Sequence, residues 1–199
     1  MRRFAIAVLA ALVLPVTAIA ADSEGRFAVE GVGRATCVDY LKAASEKNPV
    51  YYSIGGWIEG YLTAVNAQTP ETYDITPWQQ TDLFTALLES HCQANPEINI
   101  IVIIRGMVDS LMTDRLHEPS PVKPVNIGDR EVYLYEVVLQ RIQQALKDKG
   151  HYQGGIDGDY GPGTKAAMTV FQQSVGLEAT GLPDQVTLFQ LLTAGAPAQ

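Results

Sequence analysis

The chain has 199 residues, with 14 Lys and Arg against 22 Asp and Glu, for a formal net charge of −8. That length makes one ordinary domain or two small ones. The acidic balance argues against nucleic acid or an anionic lipid surface as a partner.

Arg2 and Arg3 precede residues 4–19, an apolar run broken only by Pro15 and Thr17, and Ala18-Ile19-Ala20 follows as a small-x-small site. This is the pattern of a secretory signal peptide over residues 1–21, cleaved after Ala20 or Ala21. The run is shorter than the roughly 20 residues of a comfortable membrane span. An exported product with no membrane attachment after cleavage is expected. Without Arg2 and Arg3 the balance is 12 basic to 22 acidic side chains, and residues 22–118 alone carry 14 acidic against 6 basic. The two cysteines, Cys37 and Cys92, are expected to form one disulfide, the usual fate of a lone pair in an oxidising compartment. They are far apart and belong to no CxxC, so zinc is not expected.

Residues 22–34 read as an extended leader. Cys37, Val38, Leu41 and Ala44 predict a first helix over 37–45. Ile54, Trp57, Ile58, Tyr61, Leu62 and Val65 predict a second over 51–67. Gly55, Gly56 and Gly60 fall inside it at a cost of up to about 1 kcal/mol each, which suggests close approach of another backbone. Trp57 and Tyr61 share a face one turn apart and read as core, with a ligand-facing aromatic pair as the alternative. Thr76-Pro77 predicts a helix start, N-cap then N1, for a third helix ending near Cys92. A fourth is expected from Pro96 or Glu97 to Met112. The run 100–104 is β-rich, but its helical periodicity continues beyond it.

Residues 118–126 hold three prolines and read as an extended linker, placed within 118–130. Beyond it, Val132, Tyr135, Val138, Leu139, Ile142 and Leu146 predict a helix over 132–149, with Gly150 as its C′ residue. Helices are then expected over 162–175 and 184–192, and a frayed tail over 194–199. A short pattern occurs twice: Gly158-x-x-Gly161-x-x-Thr164 and Gly181-x-x-Asp184-x-x-Thr187. Each unit reads as a turn feeding a helix, with Pro162 at a first helical position and Asp184 as an N-cap. So compact a scaffold favours binding over catalysis.

From Leu139 onward a family pattern is legible: LQRIQQALKDKG at 139–150, Tyr152, Ile156-Asp157-Gly158, Tyr160-Gly161-Pro162, Thr164, Ala167, Phe171-Gln172, Gly176-Leu177, Thr180-Gly181, Asp184 and Thr187. Residues 133–193 resemble the three-helix peptidoglycan-binding domain found attached to cell-wall hydrolases and transpeptidases. The resemblance implies murein binding beside the Asp-Gly-x-Tyr-Gly turn, through Asp157, Gly158, Tyr160, Gly161, Thr164 and Gln172. Tyr160 is the leading contact, because a ring beside a glycine turn can stack on a sugar or a stem peptide. Asp157-Gly158-Asp159 also looks like the start of a calcium loop, but its twelfth position would be Met168 rather than glutamate.

In the first half, Cys37-x-x-Tyr40-Leu41, then Trp57-Ile58-x-Gly60-Tyr61-Leu62-x-x-Val65-Asn66, then Cys92-x-x-Asn95-Pro96 resemble the HdeA-like acid-chaperone and Rap/Tai immunity-protein superfamily. That resemblance implies a disulfide-linked helical bundle that engages a protein client or toxin. The three histidines, His91, His117 and His151, build no zinc motif. Glu59 and Glu89 are the candidate acids if the chain cleaves glycans. The expected protein is all-α: a signal peptide (1–21), a disulfide-linked four-helix domain (22–117), a linker (118–130), a three-helix peptidoglycan-binding domain (131–193) and a tail (194–199). It is expected in the periplasm of a Gram-negative envelope. It should be non-catalytic and free of cofactor or metal, bound to peptidoglycan, and presenting residues 22–117 to a partner.

Overall fold

The computed structural model describes residue 22 and residues 24–193. The expected signal peptide and tail lie outside the described residues. Seven helices occur among them: α1 (Cys37–Glu46), α2 (Pro49–Gln68), α3 (Thr81–Ala94), α4 (Ile100–Leu111), α5 (Glu136–Asp148), α6 (Pro162–Ser174) and α7 (Gln185–Thr193). The chain is mostly helical, but it also contains a two-stranded antiparallel sheet, β1 (Val122–Ile127) and β2 (Arg130–Tyr135).

Local chemistry explains most of the helix starts. Thr36 and Asp39 form a reciprocal capping box at α1. Asn48 caps α2, with Pro49 at the first helical position. Cys37 and Cys92 are disulfide-bonded and fully buried, tying the start of α1 to the last turn of α3. Closing that loop stabilises the fold by about 4 kcal/mol in the chain-entropy model. The sulfurs sit in a core built from Tyr40, Ile54, Ile58, Ile75, Leu88, Ile100 and Ile104. The one polar atom of Tyr40 is satisfied there, its hydroxyl donating to the Thr85 carbonyl at 2.7 Å.

Three expectations for this half are corrected. Helix α3 begins at Thr81, not at Thr76-Pro77. Asp74 Oδ1 accepts hydrogen bonds from both the amide and the hydroxyl of Thr76, which holds Thr76 in a turn and frees it from capping. Helix α4 begins at Ile100. The residues before it run alongside the start of α1, where Cys37 N–H donates to Ile98 O and Ile100 N–H to Ala35 O. The glycines of α2 do not admit a neighbouring backbone. A Cβ on Gly55 would meet a Thr81 methyl at 3.5 Å, and Gly56 and Gly60 have open space where a Cβ would stand. Trp57 and Tyr61 stack 5.4 Å apart and lie half-buried against the core.

A second core gathers Val125, Leu134, Val138, Leu139, Ile142, Leu146, Met168, Phe171 and Leu188. The segment expected to be an extended linker folds onto it as the β1–β2 hairpin. Residues 132–135, expected as the first turn of a helix, belong to strand β2, and α5 starts only at Glu136. The register pairs Val125 with Val132 and closes at Ile127 and Arg130. The two-residue loop Gly128-Asp129 has positive φ at its glycine (+63°), the requirement of a type II′ hairpin. Ser120 Oγ accepts from Val137 N–H and Pro121 O from Glu136 N–H, so the proline segment caps α5.

The two cores meet. Trp78, only 6% exposed, sits between α2 and α3 in sequence yet packs in the second core together with Leu83. Gln185 on α7 fixes it from both sides, accepting from Gln80 N–H at 2.9 Å and donating to Trp78 O at 2.7 Å. Arg141 on α5 donates to Asp114 O. The residues around this joint, among them Leu87, Met107, Leu111 and Phe189, enclose a cavity of about 120 Å³.

Candidate functional site

The doubled glycine pattern is the surface expression of a doubled hydrogen-bond device. Gln143 on α5 is fully buried. Its Oε1 accepts from Gly158 N–H at 2.9 Å. Its Nε2 lies 2.7 Å from Asp157 Oδ1, 3.0 Å from Asp159 O and 3.3 Å from Thr164 Oγ1. Gln172 on α6 is also fully buried and repeats the arrangement. Its Oε1 accepts from Gly181 N–H at 2.7 Å, and its Nε2 faces Thr180 Oγ1, Leu182 O and Thr187 Oγ1 at 3.0–3.3 Å. In both units the residue before the glycine also accepts from the amide of the residue after it. Each glutamine thus locks the turn that launches the next helix.

Both glycines are needed. Gly158 and Gly181 have φ of +72° and +71°, where an L-residue is strained. A Cβ on Gly158 would lie 2.6 Å from Glu136 Cγ, and one on Gly181 would lie 2.9 Å from Thr169 Oγ1.

The six residues assigned to ligand contact separate accordingly. Gly158, Thr164 and Gln172 are buried, and Gln172 has its amide fully engaged inside the fold. Asp157 is exposed, with Oδ1 turned inward. The Gln143 amide, followed by the Asp159 N–H, holds its carboxyl below the usual carboxylate range. Gly161 is half-buried and caps α6. Tyr160 is half-buried, and its hydroxyl donates to Gly181 O at 2.8 Å, joining the first turn to the second. The faces open to a ligand are those of Asp157, Asp159, Gly161 and the exposed edge of Tyr160.

Burial, and then the charge of Asp184, pushes the Tyr160 hydroxyl well above its ordinary range. The folded state therefore holds this proton more tightly than the unfolded chain does. That stability is fully present below about pH 10 and is lost as the pH rises beyond it. Tyr160→Phe is expected to cost about 1 kcal/mol at neutral pH and to flatten the fall in stability above about pH 10. Denaturant melts across the alkaline range measure both, and an unchanged alkaline slope would refute the assignment.

Two participants escaped the sequence reading. Gln143 was hidden among the glutamines of α5, although its Ile-Gln-Gln step matches Phe-Gln-Gln before the second turn. Lys123, in the supposed linker, reaches the first turn. Its Nζ pairs with Glu136 at 2.8 Å and Asp159 at 2.7 Å, and donates to Gly158 O at 3.2 Å. The two carboxylates, Asp159 first, push its pKa up. Among the described residues no group of three or more His, Cys, Asp or Glu is placed to hold a metal ion. No helix there is long and apolar enough to cross a membrane.

Residues 138–191 match the family model described as "Putative peptidoglycan binding domain". Of individual relatives, the "N-acetylmuramoyl-L-alanine amidase CwlM" of Mycobacterium tuberculosis is 27% identical over 143 residues, 67% of this chain and 34% of that protein. The "Putative OxPP cycle protein OpcA" of Synechococcus elongatus is 42% identical over 91 residues, 46% of this chain and 20% of that protein. The match thus spans a fifth to a third of these relatives' lengths. No solved structure matches the chain.

Proposed function

We propose that this is a non-catalytic, exported cell-wall protein of the periplasm. Its second half binds peptidoglycan, and its disulfide-linked helical half engages a protein partner there, as a chaperone or immunity-type protein would. The observation that carries the reading is the family match over residues 138–191, on a scaffold whose turns are locked from inside and whose first turn faces outward.

The test uses the whole chain. Gly161 has open space where a Cβ would stand and a backbone any residue adopts. Gly161→Trp is therefore expected to fold normally while covering the first turn. Retention on purified sacculi should fall by about tenfold, the loss of about 1.4 kcal/mol of binding. Undiminished retention would count against this face. Co-purification of a defined partner with the wild-type chain, lost on substituting exposed residues of α1–α4, tests the second part.

A second reading has one observation in its favour. Glu59 accepts from the Thr81 hydroxyl and lines a polar cavity of about 290 Å³ with Thr63, Asn66 and Gln80. In that reading the chain is a small murein hydrolase. Release of soluble muropeptides, abolished by Glu59→Gln or Glu89→Gln, would establish it, and no release from sacculi would dispose of it.

A further inference from the structure

The hairpin lies outside residues 138–191 and has a face of its own. The pairing Val122–Tyr135, Pro124–Tyr133 and Asn126–Glu131 puts these six side chains on one side of the sheet, because directly paired residues share a face. The opposite side carries Val125 and Leu134 into the second core. On the outer side, Tyr133 is 62% and Val122 56% exposed, and Pro124, Asn126 and Glu131 are exposed as well. The strip continues across the joint between the halves. Tyr73, 44% exposed, stands edge-on to Tyr135 with ring centroids 6.3 Å apart.

We infer that this aromatic strip, formed by Tyr133, Pro124 and Tyr73 with the half-buried Tyr135 between them, is a second contact surface for peptidoglycan, and that it takes the glycan strand of β-1,4-linked N-acetylated sugars. The inference rests on the peptidoglycan-binding reading above. Size selects the occupant. Six residues of strand at about 3.4 Å each, two strands wide, give a face about 20 Å by 10 Å. That is a quarter of the roughly 800 Å² each partner contributes to a stable protein interface. It suits a ribbon of a few pyranose rings, whose apolar C–H faces lie on aromatic rings. Chemistry agrees with size. The tyrosines present an apolar ring with a polar tip, and Glu131, which accepts from the Tyr133 hydroxyl at 2.8 Å, supplies a carboxylate for sugar hydroxyls beside it, as Asn126 supplies an amide. Lys123, on the opposite side of the hairpin with Leu134, fixes the hairpin to the first turn, so the strip is held in place by contacts of its inner side and its outer side stays free.

The test uses the full chain, sacculi, and a chito-oligosaccharide, which has the sugar backbone without stem peptides. The sugar is expected to shift the ring resonances of Tyr133 and Tyr73. Asn126, on the same side of the sheet, reports in the variant as well: its side-chain amide shift on adding the sugar should be lost in Tyr133→Ala with Tyr73→Ala, and sacculus retention should weaken by about tenfold, as removal of central aromatic contacts does. Tyr133→Phe should keep both, since the ring is what binds. Gly161→Trp should weaken sacculus binding and leave the sugar response intact. Wild-type retention on sacculi with no response of either tyrosine to the sugar would overturn the inference while leaving the module reading in place. Tyrosine shifts that depend on protein concentration and not on sugar would overturn it in favour of self-association. If the wild-type chain is not retained on sacculi, the peptidoglycan-binding reading itself fails.

Discussion

Replacing Trp78 with alanine lowers the stability of both halves of the protein, by about 3–5 kcal/mol. The residue belongs to the first half by sequence and to the second core by position. Its truncation opens a hole beside a cavity that already exists, which gives the site little material to collapse with. It also loosens the loop whose carbonyl and following amide are held by Gln185. The wild-type chain should unfold in one calorimetric transition. The variant should unfold in two, with the midpoint of the second half down by about 20 °C. Hydrogen exchange at Leu188 reads the same effect locally. Unchanged exchange there, with destabilisation confined to α1–α4, would show that the cores are independent.

The second large effect is expected at the glutamines. Gln172→Leu strips a buried glycine N–H, a buried carbonyl and two hydroxyls of their shared partner. A group left unsatisfied in a buried network costs about 1–3 kcal/mol, and the network loses its cooperativity as well. A loss of about 3–4 kcal/mol is expected for Gln172→Leu, and a similar one for Gln143→Leu. Gln172→Glu should be no better, because its second oxygen faces Leu182 O where a donor is required. Gln173, exposed on the next position of α6, is the control: Gln173→Leu should change stability by no more than about 0.5 kcal/mol. Chemical denaturation of the four variants decides it. Equal effects at Gln172 and Gln173 would remove the lock from the account.

Much of this was legible in the sequence because the signals are local. Asp184 before α7 and Gly150 after α5 announce helix ends through their own backbone chemistry, and the structure places them so; Asn48-Pro49 carries the same signal, but the second helix was expected only from residue 51. The Cys37–Cys92 bond followed from there being only two cysteines. What failed was non-local or masked. Thr76-Pro77 has the letters of a helix start, but a carboxylate two residues earlier captures the threonine. Three prolines at 119–124 outweighed Gly128-Asp129 between alternating apolar residues, itself a hairpin signal. The family resemblance implied ligand contact at Gln172 and Thr164, and both side chains are buried and bonded inside the fold. A repeated motif is equally the mark of a repeated internal bond, and that is what these side chains make. Trp78 gave no sign of crossing to the other core, since its partner lies 107 residues away.

The proline at the centre of β1 has one more effect. A sheet of two strands leaves both borders free to accept a foreign strand, and pairing of that kind seeds aggregation. Pro124 lies opposite Tyr133. Having no N–H, it can occupy only a position whose amide side faces away from β2. The outer border of β1 therefore lacks the middle donor a docking strand would need. The residue that made this segment look unstructured is what lets a lone hairpin stay unpaired in a crowded compartment.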